Sequence, residues 1–233
     1  MNSKPKMISF INAHKILVPP IILGMMFWFK DWTAEAFVYL ALHGTYAMLW
    51  IAKSSIYPDK SFERRLPFWQ GASCIFLPML SYYLPAYLLL SRHVELQPWV
   101  VGAAISCYAV GMFLHFAADA QKYYTLRFRP GLIEDGFFAR TRNPNYLGEI
   151  LIYLSYAIVS WHWLSFIAIG GWWFYYFSNM RRKDRSLGRY PRFAAYKTRT
   201  GMLLPSLTKM LSHETPSGQS SQAAEVHRKT LER

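Results

Sequence analysis

Arg142-Asn143-Pro144-Asn145-Tyr146-Leu147-Gly148-Glu149 is a polar, turn-forming run that opens directly into the apolar stretch Ile150 to Val159. Pro144 fixes its own φ, lacks an N–H and disfavours helix at Asn143, so it suits the first turn of a helix. The following residues are apolar enough to enter a bilayer. Asn145 and Glu149 then lie at i and i+4 on one helix face, near the membrane boundary. An ionisable side chain at that depth is costly and marks a candidate functional site.

Outward from this run, the composition is that of a membrane protein with segregated charge. Hydrophobic residues make up 53% of the 233 residues and charged residues 17%, and several runs near 20 residues carry almost no charge. That length crosses the ~30 Å hydrocarbon layer. Hydropathy places a first, weaker span at 16–29, broken by Pro19-Pro20 and short enough to be re-entrant or to lie on the surface. Further spans are expected at 34–52, 68–90 and 99–118. The stretch 146–178 is too long for one helix, and Trp161-His162-Trp163 supplies a turn that divides it into a tight hairpin. The expected fold is an all-α, polytopic bundle of about six transmembrane helices. Residues 1–205 form the integral membrane domain, with 115–205 as its cofactor-binding half. The tail 206–233 is too polar to bury a core and is expected to be disordered or a frayed helix.

Charge sets the orientation. With six spans, 24 of the 26 Lys and Arg fall on one side, leaving only Lys30 and Arg92 on the other. The positive-inside rule then places both termini in the cytoplasm of a bacterial inner membrane or the endoplasmic reticulum. The net charge of +13 is explained by this topology and by attraction to membrane lipids. No nucleic-acid motif accompanies it, and the start of the chain has no cleavable signal pattern. Cys74 and Cys107 fall in apolar runs without metal-ligand spacing and read as small core residues; no metal site is expected.

The polar segments on the basic side carry the candidate chemistry. Asp119, Gln121 and Lys122 emerge from the end of the fourth span, and Asp119 and Lys122 share a face if the helix continues. Pro130-Gly131 ends it. Arg140 and Arg142 precede the Asn-Pro-Asn-Tyr run. After the last span, Arg181, Arg182, Lys183 and Arg185 place four cations within five residues. Arg forks match phosphate oxygens, and a lipid-headgroup anchor would have the same composition.

The pairing of RNPNYLGE (142–149) with RKDRSLGRYPRFAAYKTRTGMLLP (182–205) resembles the C-terminal half of the membrane steroid 5α-reductase-like superfamily. That family has an Arg-His-Pro-Asn-Tyr-Phe/Leu-Gly-Glu/Asp box. About forty residues on come a Tyr-Pro or Tyr-Gly, a spaced Tyr and a closing Ile/Leu-Pro. The Ala-Asp-x-Gln-Lys at 118–122 resembles bacterial members of unknown substrate, as, weakly, do His43-Gly44-x-Tyr46 and Tyr57-Pro58-Asp59. The resemblance implies an NADPH-dependent reductase of an activated carbon–carbon double bond in a steroid-like or other lipid substrate. The cofactor carries the hydride, and the protein orients it and supplies a proton. No Gly-x-Gly-x-x-Gly run follows a strand, so a Rossmann site is not implied.

Carried over residue by residue, Asn145 and Glu149 match the positions near the nicotinamide, and Tyr146 matches the box aromatic. Asp119 and Arg127 resemble the upstream pair facing the cofactor, with a separation one residue longer here. Asn179 and Lys183 stand where steroid 5α-reductases carry a His and a Tyr, and Asn143 replaces the box His. The cofactor set expected is Asp119, Lys122, Arg127, Arg142, Asn145, Tyr146, Asn179, Arg182, Lys183, Asp184 and Tyr196. The catalytic set is Glu149, Tyr46 and His43, the last two sharing a face of the second span. A neighbouring class, the integral membrane methyltransferases of isoprenylcysteine or phospholipid type, uses a similar box with S-adenosylmethionine. Its two adjacent acids are replaced by Lys183-Asp184 here. A site so cationic suits a cofactor with several phosphates better than a sulfonium. A non-enzymatic lipid-binding bundle would not need Asp, Asn and Glu at the membrane boundary.

Overall fold

The computed structural model describes residues 4–205, whose regular elements are all helices, with no strand among them. The tail 206–233, expected to be disordered, lies outside the described residues. Six long helices carry the fold: α1 Met7–Phe29, α2 Ala34–Ile56, α3 Phe68–Ser91, α4 Pro98–Phe128, α5 Pro144–Ser160 and α6 Trp163–Leu187; a short α7, Phe193–Arg199, follows. Of these, α1, α3 and α4 are long and apolar enough to cross a membrane.

The first helix corrects the sequence expectation. Rather than a short, broken segment, α1 is a continuous helix of 23 residues with Pro19 and Pro20 inside it. Two prolines remove two donors, yet the helix persists, with one face (Val18, Ile22 and Met26) buried against neighbours, the setting in which membrane helices tolerate proline. The consequence is that Lys15, placed by hydropathy outside the span, lies within the helix and is buried.

The other boundaries follow local chemistry. Thr33 caps α2 by accepting from the Ala36 N–H at 3.4 Å, as a hydroxyl N-cap does. In α3, Pro78 and Pro85 deny donors to the preceding turns, and the helix responds with a π segment at Ala72–Phe76 and a 3-10 turn at Leu80–Tyr83. Cys74 lies on its exposed face, not in the core as expected, and Cys107 is half-buried; both are free thiols. Pro98 opens α4, which runs well past Ala118 to Phe128. Its 31 residues span ~46 Å, longer than the hydrocarbon layer, so its last turns carry Lys122 and Arg127 past the bundle core, while Asp119 stays buried at its edge. The expected hairpin turn is present: Trp161 is left-handed (φ 46°), and the His162 ring accepts from the Leu164 N–H at 3.2 Å.

The pairing that positions the site is α4 on α5, the most extensive helix contact in the structure. It depends on two glycines. A Cβ on Gly111 would fall 2.7 Å from the Gly148 carbonyl oxygen, and a Cβ on Gly148 would collide with the backbone of His115 and Gly111. Backbone therefore packs against backbone, and His115 and Asp119 of α4 are brought beside Asn145 and Glu149 of α5. The core around them is rich in tyrosine, with Tyr39, Tyr46, Tyr82, Tyr153 and Tyr156 all buried.

Candidate functional site

A cavity of about 540 Å³ opens between the end of α2, the segment 57–60 and the last turns of α4. Lys53, Asp59, Lys60, Asp119, Lys122 and Arg127 supply its charge, and Tyr57 and Tyr123 supply aromatic walls, with ring centroids 6.4 Å apart. Four cations face two carboxylates. Both carboxylates are already paired: Lys53 with Asp119 in a buried ion pair, and Lys122 Nζ with Asp59 Oδ2 at 2.8 Å. Burial alone would raise the Asp59 carboxyl, but the Lys122 ammonium and hydrogen bonds from Ser61 win and hold it well below the usual carboxylate range. Lys60 and Arg127 make no hydrogen bond or ion pair among the described residues, and their charge remains available at the cavity. The expectation that the fourth helix continues and sets Asp119 and Lys122 on one face is met, since both line this cavity.

From the cavity a chain of polar contacts leads into the bundle. Asn145 Nδ2 donates to Asp119 Oδ1 at 3.0 Å, and His115 Nδ1 lies 3.2 Å from the Asn145 carbonyl oxygen. That carbonyl can only accept, so His115 carries its proton on Nδ1, and its Nε2 accepts from Lys53 Nζ at 3.4 Å. Asn145 Oδ1 is buried and unpartnered. One turn deeper on α5, Glu149 Oε1 accepts from the Tyr46 hydroxyl of α2 at 3.4 Å. Lys15 Nζ reaches this point from α1, 4.2 Å above the Tyr46 ring and 3.3 Å from the Tyr153 hydroxyl. His43 is fully buried, but its Nδ1 pairs with the Tyr39 hydroxyl at 3.3 Å and its ring stacks on Tyr156 at 4.5 Å. The structure thus brings Tyr46 and Glu149 together and directs His43 toward a different tyrosine pair.

Several residues expected at the cofactor hold the C-terminal block instead. Arg142 is 4% exposed. Its Nε lies 3.1 and 3.2 Å from the two carboxylate oxygens of Asp184, and its Nη1 donates to the Thr200 carbonyl at 2.7 Å. With the Arg142 guanidinium and the Asp184 carboxylate bound to each other, neither lines the first cavity. Lys183 Nζ donates to the Arg142 carbonyl at 2.9 Å and to Asn143 Oδ1 at 3.0 Å, and Asn143 Nδ2 donates to the Met202 carbonyl at 2.8 Å. Tyr196 donates to the Phe138 carbonyl at 2.8 Å, and burial pushes its phenol up to about 12. The Tyr146 ring packs on Tyr176, with centroids 5.3 Å apart, and its hydroxyl reaches Asn179. Arg182 is exposed and lines neither this cavity nor a second one of about 460 Å³ that contains Arg181 and Arg185. The basic run in the last turns of α6 is therefore split: one member clamps a loop, one is at the surface, and two face a separate cavity.

Sequence reasoning missed Lys15, Lys53 and His115 as site members. Lys53 was legible, because Tyr46, Trp50 and Lys53 stand at i, i+4 and i+7 and share a helix face. Lys15 was hidden because the expected first span starts at residue 16, nine residues after the helix begins at Met7.

A sequence model of the family described as protein of unknown function DUF1295 matches residues 62–200. No curated protein matches the chain.

Proposed function

The chain belongs to the DUF1295 family, and from that premise and its site we propose that it is an integral membrane, NADPH-dependent reductase of an activated carbon–carbon double bond in a steroid-like or other lipid substrate. The observation that carries this is the Tyr46–Glu149 pair, which lies one helical turn beyond Asn145, whose side chain contacts Asp119 in the wall of the cavity lined by four cations.

The residues fit the cofactor. Lys60 and Arg127 have charge available for phosphates, and charge-assisted contacts of this kind are the strong ones. Tyr57 and Tyr123 offer flat faces to a base. The orphaned Asn145 Oδ1 would accept from a carboxamide. Bound NADPH would supply the hydride. The protein's part is to deliver a proton and fix geometry. In the free protein the Tyr46 hydroxyl donates to Glu149; with substrate bound, a protonated Glu149 would donate to the Tyr46 oxygen while the Tyr46 O–H turns to the substrate carbonyl, so that the proton passed on is replaced from Glu149. Lys53, paired with Asp119 and touching His115, fixes the α2–α4–α5 junction on which both groups depend.

In this proposal α2, α5 and α6 complete a set of six spans with α1, α3 and α4. Both termini and the cavity are cytoplasmic, and the substrate enters from the lipid. Thermal-shift titration in detergent with NADPH and with S-adenosylmethionine tests the assignment. Stabilisation by NADPH alone supports the reductase. Stabilisation by S-adenosylmethionine alone makes the chain a methyltransferase, and no response to either removes the enzymatic proposal.

A further inference from the structure

We propose that the second cavity, on the outer side of the α6–α7 junction, is a headgroup site for an anionic phospholipid. It measures about 460 Å³ and is lined by Arg181, Arg185 and Lys197, with Phe193 and Met202 as apolar lining. It shares no lining residue with the cation-lined cavity assigned to the cofactor, and it holds whether or not the reductase proposal does. One acid, Asp184, also lines it, but both its carboxylate oxygens are taken by Arg142. The side chains of Arg181, Arg185 and Lys197 have no hydrogen-bond or ion-pair partner among the described residues, so the cavity carries uncompensated positive charge. Guanidinium forks match phosphate oxygens.

What favours a lipid over free phosphate is the helix face leading into the cavity. Phe174, Phe177, Arg181 and Arg185 stand at i, i+3, i+7 and i+11 on α6, one continuous stripe. Phe174 is 80% and Phe177 40% exposed. An acyl chain lies along the phenylalanines while its phosphate sits at the arginines, one ligand accounting for both halves of the stripe. Free phosphate uses the cations alone and makes no contact with the aromatic half of the stripe.

The full-length protein, stripped of lipid in detergent, is melted against phosphatidylglycerol, phosphatidylcholine, inorganic phosphate and NADPH. Wild type should respond to phosphatidylglycerol at concentrations at least about tenfold lower than to phosphatidylcholine. Arg181→Gln/Arg185→Gln should abolish that preference. Arg189→Gln/Arg192→Gln, an equal loss of charge outside the cavity, should keep it. A preference retained in the first variant overturns the site. An equal response to inorganic phosphate overturns the lipid. A lost NADPH response in the first variant also overturns the site, because it assigns these cations to the cofactor. If that variant does not fold, a photoreactive phosphatidylglycerol on wild type decides: labelling within 174–197 supports the site, and labelling only elsewhere overturns it.

Discussion

The Tyr46 hydroxyl on α2 donates to Oε1 of Glu149 on α5 at 3.4 Å, across 103 residues of sequence. The glycine contact between α4 and α5 packs the helix that carries Glu149 closely into the bundle. The pair is the deepest part of the proposed active site that has both a proton to give and a fixed acceptor. Tyr46→Phe and Glu149→Gln nearly conserve shape. Each should lower NADPH-dependent turnover at least about tenfold, or ~1.4 kcal/mol of barrier, with little change in melting temperature. The substrate for this assay comes from lipid analysis of a deletion strain. Wild-type turnover in Tyr46→Phe would remove the tyrosine from the mechanism.

Arg142 behaves differently from the other basic residues of its segment. Breaking its buried pair with Asp184 leaves an uncompensated buried charge, which costs about 3–5 kcal/mol. Arg142→Ala should therefore lower the melting temperature markedly and expose the 180–205 segment to protease. Arg182→Ala, at the surface, should change stability by no more than about 0.5 kcal/mol. Equal stability of the two variants would contradict the clamp.

Asp59 gives the cavity an acid limit. Its folded-state carboxyl is held below its ordinary value by Lys122 and Ser61, so its contribution to stability is fully present above the unfolded value of about 3.9 and is lost as pH falls below it. Wild type should melt higher than Asp59→Asn at pH 6, and the gap should close as the pH is lowered through about 4 toward 2. A gap independent of pH would show that the Asp59–Lys122 pair carries no charge-dependent stability.

The α4–α5 contact can be tested without touching a polar group. Gly148→Ala drives a methyl into the backbone of His115, and overpacking of this kind typically costs about 1–3 kcal/mol. The variant should melt lower and should also weaken NADPH binding, because Asn145 and Asp119 are moved apart. The exposed-side Gly102→Ala, with no atom near its Cβ, should do neither.

Much of this was legible in the sequence, for physical reasons specific to each element. Pro144 and the Trp161-His162-Trp163 turn bound the α5–α6 hairpin where the sequence places it, because both act through local backbone geometry. Asp119 and Lys122 share a cavity because a helical face is a periodicity. Three features were not legible. Tolerance of Pro19-Pro20 within α1 depends on neighbouring helices, which a hydropathy window does not contain. Whether an arginine binds a ligand or clamps a loop depends on a partner far along the chain: Arg142 meets Asp184 and Thr200 only after α5 and α6 fold back. The pairing of Tyr46 with Glu149 joins residues 103 apart in sequence, and the close α4–α5 approach at Gly111 and Gly148 is visible only in three dimensions.

The most direct measurement is an equilibrium titration of NADPH against wild type and against Lys60→Ala/Arg127→Ala in detergent. Loss of charge-assisted contacts costs about 1.5–3 kcal/mol each. Wild type should bind NADPH saturably, and the variant at least about tenfold more weakly, with unchanged melting temperature in the absence of cofactor. Absence of NADPH binding to wild type, or equal affinity in the variant, would contradict the cofactor assignment.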